Sequence, residues 1–227
     1  FGDGRRWGAN LTYSLESRLL GTAGAVKRVA GFFDDTFVVL VGDSLWDIDV
    51  AAVVEHHRSR GAVATVVVKP MPQQAVGRFG VVRVDGEGRI QQFQEKPHPD
   101  VACSNLASTG FYVLEPSVLA MIPAGEFFDF ARDLFPKLLE DGLPFYAYHY
   151  EGPWSDIGAF GEYFQVHQEI LNGAYPRLHL PAREVEPGVF QGHHVRIGPG
   201  VQLRPPVLIG SHAHLSRGAV IGPGAVI

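Results

Sequence analysis

The 227-residue sequence is short of the residues on which several protein classes depend. It has one cysteine, Cys103, so no intramolecular disulfide can form and a disulfide-stapled scaffold is excluded. No apolar run approaches the ~20 residues of a membrane-spanning helix, and no signal-peptide pattern is visible. A single thiol fits a reducing compartment, and a cytoplasmic protein is expected. Basic residues are not in excess: 19 Lys and Arg against 24 Asp and Glu leave a net charge of -5. A chain-wide field for nucleic acid is therefore absent, and an anionic ligand has to be held by local groups. The first residue is Phe1 rather than Met, which suggests that the natural start of the chain is missing.

What is present is ample material for a core, with 46% hydrophobic and 19% charged residues. Up to about residue 173 the pattern alternates between strands and helices. Phe37–Val41 reads FVVLV, a continuous apolar run of the kind shown by buried parallel strands. Residues 49–60 carry Val50, Val53, Val54 and His57 at helical spacing, with Gly61 placed to end the helix. Ala62–Val68 is a second apolar strand, which completes a βαβ unit. Gly80–Val84 and Ile90–Glu95 flank Asp85-Gly86-Glu87-Gly88 and predict a hairpin. Further strands are expected at Thr109–Leu114 and Phe145–His149. Helices are expected over Phe130–Glu140, capped by Asp129, and over Phe160–Leu171.

Residues 174–188 contain Pro176, Pro181 and Pro187 and read as a linker. Beyond them the period becomes six. Ile197, Leu203, Ile209, Leu215, Ile221 and Ile227 recur at that interval, with Val201, Val207, Ala213, Ala219 and Ala225 four residues after each of the first five. Fixed repeats of this kind predict a hexapeptide parallel β-helix over 189–227, and one still running at the last residue. An open coil end leaves strand edges unpaired, so self-association through the β-helix is expected.

Four segments offer chemistry. Asp43 follows the strand Phe37–Val41, at a carboxyl strand end where open α/β sheets bind ligands; it could hold Mg²⁺ or merely close a turn. Asp156, in Trp154-Ser155-Asp156-Ile157-Gly158, could share that metal or cap the next helix. Glu95-Lys96-Pro97 ends a strand with an ammonium suited to phosphate and a carboxylate suited to sugar hydroxyls, although such a triplet also makes a solvated turn. Leu20-Gly21-Thr22-Ala23-Gly24 lets backbone approach a ligand closely, just before a helical stretch at Ala25–Val29 whose amides would favour an anion; glycine-rich turns are also common for other reasons. No Ser–His–Asp or Cys–His arrangement is evident, and the ten histidines show no zinc-like spacing with cysteine.

Taken in order, LGTAG (20–24), GD (42–43), GV (80–81), EKP (95–97), TGFY (109–112) and WSDIG (154–158) resemble the nucleotide-sugar pyrophosphorylases, most of all the mannose-1-phosphate guanylyltransferase and glucose-1-phosphate nucleotidyltransferase branches. The resemblance implies a Rossmann-like α/β nucleotidyltransferase (GT-A-like) domain over 1–173, then the start of a left-handed parallel β-helix. It implies transfer of a nucleotidyl group from a nucleoside triphosphate to a sugar-1-phosphate, with GTP and mannose-1-phosphate favoured and thymidylyl or uridylyl transfer to glucose-1-phosphate as the alternative. By the same resemblance, Asp43 and Asp156 bind catalytic Mg²⁺, and Leu20, Gly21, Thr22, Ala23 and Gly24 lie against the nucleobase and ribose. Gly80, Glu95, Lys96, Thr109 and Gly110 form the sugar-phosphate pocket, and Lys96 joins the two aspartates in catalysis.

Phe79 stands where the family commonly has tyrosine, and Ser108 where asparagine is frequent. The family's opening GxGTRLxPLT segment is absent, so the first βα units are expected to be missing and the chain is expected to grip triphosphate poorly. Two rival readings remain: an acyltransferase, because hexapeptide β-helices also carry that chemistry with histidine as base, and a non-catalytic regulatory subunit.

Overall fold

The computed structural model describes residues 1–227. Contacts divide the chain into two compact units, one of residues 1–41 and 49–150, the other of 42–48 and 151–227. The expected division near residue 175 therefore does not follow the packing. The short segment 42–48 leaves the first unit and pairs with residues of the second. No helix is long and apolar enough to cross a membrane.

The first unit begins with irregular chain and α1 (Gly21–Arg28). Strand β1 (Phe37–Leu40) follows, and after the excursion through β2 (Ser44–Trp46) comes α2 (Val50–Ser59). The Asp49 side chain accepts from the Ala52 amide and caps α2, and Gly61, at φ 54°, ends it. Next come β3 (Ala64–Pro70), β4 (Gly80–Val84), β5 (Ile90–Glu95), β6 (Leu106–Leu114), α3 (Phe135–Glu140) and β7 (Phe145–His149). The sheet order is β5-β4-β6-β3-β7, with β1 also paired to β6. The hairpin predicted at 80–95 is present, with Gly80 opposite Glu95.

Strand β1 departs from the buried parallel strand expected of FVVLV. It pairs antiparallel with β6, and Leu40 is 52% exposed. An apolar run records that a strand is compatible with burial, not which neighbours cover it. The βαβ relation survives in a different form. Both β1 and β3 run antiparallel to β6, which lies between them.

The core lies under this sheet. Phe130, Phe135 and Phe145 are fully buried, and Tyr112 packs against Phe130 and Phe135 at centroid distances of 5.3 and 5.2 Å. The helix expected at 130–140 is capped by Asp129, which accepts from the Ala131 and Arg132 amides, but its first turn, Phe130–Leu134, is a wider π-type turn. Pro136 supplies the reason: it has no N–H to donate to Arg132, and its ring would press on that carbonyl in α geometry.

The second unit contains β2, β8 (Trp154–Asp156), α4 (Phe160–Leu171) and the strands β9 (Arg183–Glu186), β10 (Val189–Gln191), β11 (Arg196–Ile197), β12 (Gln202–Leu203), β13 (Val207–Ile209), β14 (His214–Leu215) and β15 (Val220–Ile221). Parallel pairs join residues 189 with 207, 196 with 214, and 202 with 220, an offset of eighteen each time. Each of these strands thus pairs in parallel with the one that follows eighteen residues later. Val207, Ile209 and Leu215 are buried, whereas Ile197 is 47% exposed.

Residues 174–188 are not a free linker. Tyr175 is buried and its hydroxyl lies 2.9 Å from Ser155 Oγ. The Arg177 amide donates to buried Asp47 at 2.9 Å, and β9 pairs with β10. The prolines rule out a regular helix here, but they do not prevent packing.

Candidate active site

The two aspartates come together in the second unit. Strands β2 and β8 form an antiparallel ladder in which Ser44 faces Asp156, and the Ile157 amide donates to the Asp43 carbonyl at 2.8 Å. Asp43 precedes one strand and Asp156 ends the other, so both carboxylates stand at the same end of the ladder. Asp43 is exposed and Asp156 is half-buried. No three His, Cys, Asp or Glu side chains surround one metal position. The donor set of two hard carboxylates fits Mg²⁺, which is commonly held by one or two carboxylates and otherwise by water and phosphate oxygens. Beneath this ladder, Asp47 fixes residues 175–177 through the Arg177 contact. Sequence reasoning gave Asp47 no role, and it carried no signal beyond being an acid near GD.

In the first unit, Glu95 and Lys96 sit where β5 ends. Lys96 adopts φ 46°, the left-handed region, while its amide donates to the Phe79 carbonyl at 3.1 Å. A non-glycine residue held there is strained, and such residues gather at functional sites. Its ammonium is 60% exposed and lies 4.0 Å from the half-buried Glu95 carboxylate. Burial raises the pKa of Glu95; neighbouring Lys96 counters it, Asp129 adds to it and Arg132 opposes it. Asp129 and Arg132 thus belong to the electrostatics of this pocket. Sequence reasoning saw Asp129 only as a helix cap, since nothing local reveals that β5 and the 129–134 turn are neighbours.

Gly80 is opposite Glu95, and a Cβ on it would lie 2.5 Å from the Phe93 ring and 3.1 Å from the Glu95 carboxylate. Glycine here keeps space beside that carboxylate. Thr109 is buried, and its hydroxyl donates to the Val67 carbonyl at 3.0 Å, so its hydrogen is committed inside the sheet. Gly110, also buried, has φ 77°, and a Cβ would sit 2.4 Å from Val41. Burial pushes the pKa of the Tyr112 hydroxyl up to about 12.

The 20–24 segment differs from the expected glycine loop. Helix α1 begins at Gly21 rather than after Gly24. The Ala23 and Gly24 amides both donate to the Phe128 carbonyl, at 3.0 and 2.9 Å, so they are not left for an anion. Leu20, Ala23 and Gly24 are buried, leaving Thr22 exposed and Gly21 partly so. The Thr22 hydroxyl donates to Asp129 at 2.8 Å and accepts from the Phe130 amide at 2.9 Å. The segment is thereby clipped to the turn that neighbours Glu95.

Comparison with known proteins accords with these observations. The nucleotidyl transferase family profile matches residues 1–173. The UTP–glucose-1-phosphate uridylyltransferase of Synechocystis is 40% identical over 100% of this chain and 62% of its own length. The mannose-1-phosphate guanylyltransferase of Mycobacterium tuberculosis is 32% identical over 99% of this chain and 60% of its own. The chain thus spans about 60% of these curated relatives. Among solved structures, a Bacillus anthracis protein assigned as a glucose-1-phosphate thymidylyltransferase superposes with TM-score 0.66 at 23% identity, covering 79% of this chain and 70% of that one. A UDP-glucose pyrophosphorylase with UDP-glucose gives 0.58 at 22% identity, over 68% and 63%. These likenesses establish the Rossmann-like α/β fold. The profile covers most of the chain and the identity extends along all of it, and the chain therefore belongs to the nucleotidyl transferase family, among relatives named as sugar-1-phosphate nucleotidyltransferases.

Proposed function

We propose that the chain supplies the catalytic residues of an enzyme that joins a nucleoside triphosphate to a sugar-1-phosphate and releases pyrophosphate. The observation that carries this reading is the placement of Asp43 and Asp156 at one end of a single strand ladder, in a chain of this family. An oxygen of the sugar phosphate attacks the α-phosphorus of the triphosphate. The new P–O bond forms as the bond to the β-phosphate breaks, and the electron pair leaves with pyrophosphate. The attacking oxygen is already anionic, so no proton has to be removed and no activated serine or cysteine is needed. Catalysis then rests on alignment and on neutralising charge.

Asp43 and Asp156 would hold Mg²⁺, which when bound neutralises phosphate charge. Lys96 holds the sugar phosphate, and its strained backbone fixes where the ammonium can reach. Glu95, its carboxylate kept clear by Gly80, accepts hydrogen bonds from sugar hydroxyls. Thr22 and Gly21, the accessible part of the 20–24 segment, lie against the base. Thr109 and Gly110 act from inside the sheet, by holding the strand that backs this pocket.

Identity along the full chain is higher to the uridylyltransferase than to the guanylyltransferase, 40% against 32%. That favours UTP and glucose-1-phosphate over the expected GTP and mannose-1-phosphate. For the repeats, the eighteen-residue offset supports reading β10–β15 as coils of a left-handed parallel β-helix, with three hexapeptides per turn. The test is a panel of four triphosphates against glucose- and mannose-1-phosphate with the intact protein. Pyrophosphate release should be fastest with UTP and glucose-1-phosphate. In the same assay Asp43→Asn should lower Mg²⁺-dependent turnover by about 10²-fold or more, the usual scale for one lost transition-state charge contact. Near-normal turnover by that variant would remove the metal assignment.

A further inference from the structure

Left-handed backbone recurs every sixth residue along the repeats: Gly188 at φ 73°, His194 at 57°, Gly200 at 75°, His212 at 67°, Gly218 at 74° and Gly224 at 78°. The remaining position in this series, 206, is proline. Four of the left-handed corners carry glycine, which adopts this conformation without steric cost. At two of them the chain places histidine and accepts strain. A strained residue that a glycine could replace points toward a function for its side chain.

The two exceptions are stacked. Residues 194 and 212 differ by the eighteen positions that separate paired strands, and their imidazole rings lie 5.1 Å apart at 20°. The same offset sets Arg196 opposite His214. Each rung thus presents a corner histidine followed two residues later by a second basic or imidazole group. His194, Val195, Arg196, His212 and His214 together line a cavity of about 530 Å³. No acid lines it, in a protein whose net charge is -5.

The chemistry of this lining selects the ligand. Arg196 offers a planar, permanently charged fork of donors, and each imidazole offers an N–H. Such a set receives the oxygens of a phosphoryl group. A transition metal suits it poorly: the two stacked rings lie nearly parallel, no metal-binding group of three ligands is present, and the guanidinium repels a cation.

We propose that His194, Arg196, His212 and His214 bind the phosphoryl group of a small anion, either free phosphate or a sugar phosphate. None of these residues is assigned to nucleotidyl transfer, so this site stands or falls independently of the proposed activity. The experiment is imidazole-detected NMR of the full 227-residue chain titrated with inorganic phosphate and, separately, with glucose-1-phosphate. Phosphate should shift the resonances of His194, His212 and His214 saturably while buried His57 stays fixed. Tighter saturation of the same three resonances by glucose-1-phosphate would identify a sugar phosphate as the ligand; equal affinity would identify the phosphoryl group alone.

Arg196→Gln should weaken the affinity by about tenfold or more, since it removes the charged donor. A His194→Gly, His212→Gly double variant should keep or raise the thermal midpoint, because it relieves left-handed strain, and should lose phosphate affinity. The proposal is overturned if the shifts are absent or non-saturable. It is overturned equally if Arg196→Gln leaves the affinity unchanged, or if Zn²⁺ and not phosphate saturates the three histidines.

Discussion

Replacing Gly110 with alanine adds one methyl group to the middle of the sheet, and two independent penalties follow. The backbone at this residue is left-handed, φ 77°, which costs an alanine roughly 1–2 kcal/mol. The new Cβ would also lie 2.4 Å from one Val41 methyl and 3.0 Å from the other, and both residues are held by the Val41 amide donating to the Gly110 carbonyl at 3.1 Å. Forcing a methyl into packed surroundings costs a further roughly 1–3 kcal/mol. The expected loss is therefore about 2–5 kcal/mol, with a central value near ~3 kcal/mol that lowers a thermal midpoint by roughly 6–12 °C in a chain of this size. Amide hydrogen exchange in β3 and β6 reports the unit concerned and should accelerate in step. Val41→Ala removes the obstructing methyls but not the dihedral penalty. The Gly110→Ala, Val41→Ala double variant should thus be about 1–3 kcal/mol more stable than the sum of the single effects. A Gly110→Ala change of less than about 0.5 kcal/mol, or strict additivity with Val41→Ala, would refute the packing account and return Gly110 to a purely ligand-facing role.

Two further outcomes follow from strained or buried groups. His57 is fully buried, with Nδ1 2.9 Å from Thr65 Oγ1 and Nε2 3.1 Å from Glu115 Oε1, and burial lowers its pKa from the ordinary 6.5 despite Glu115. The folded state therefore binds this proton less readily than the unfolded chain. Its stability should be full above pH 6.5 and fall as the pH drops from there toward the lowered value, read by urea unfolding at neutral and mildly acidic pH. His57→Leu should flatten that dependence without abolishing it, because His56 is lowered in the same direction; an unchanged slope would exclude His57 as a source. Lys96→Gly should raise the thermal midpoint slightly, by relieving φ 46°, while weakening sugar-1-phosphate binding by about tenfold or more. A variant both less stable and unchanged in binding would contradict the strain argument.

Local chemistry made much of the fold legible. The turn Asp85–Gly88 announced a hairpin because Gly88, at φ 82°, and the Asp85 carboxylate, accepting from the Glu87 and Arg89 amides, close it within five residues. Helix α2 was readable from its face and its terminal glycine, and the short strands of residues 189–227 pair in parallel at an interval of eighteen positions, which three six-residue steps span. What remained hidden depends on partners distant in sequence. The exposure of β1 is set by β6, about seventy residues away, and the buried amides of α1 by Phe128. At the site, the aspartates and EKP were recognisable by residue type and order, whereas the influence of Asp129 on Glu95 and the burial of Thr109 depend on tertiary placement. Gly110 was read as part of a sugar-phosphate pocket; what the structure adds is its left-handed backbone pressed against Val41, a contact no local pattern reveals.

Asp129 has a consequence for how such an enzyme diversifies. One carboxylate receives the Thr22 hydroxyl, starts the turn that leads into α3, and adds its charge to the field at Glu95. On the proposed reading, the segment that meets the base and the residue that meets the sugar are thus fastened to a shared post. Preference for base and preference for sugar are then not separately adjustable traits. A lineage that alters residues 20–24 to accept another triphosphate disturbs the post and shifts its tolerance for sugars, so changes in the two specificities are expected to travel together.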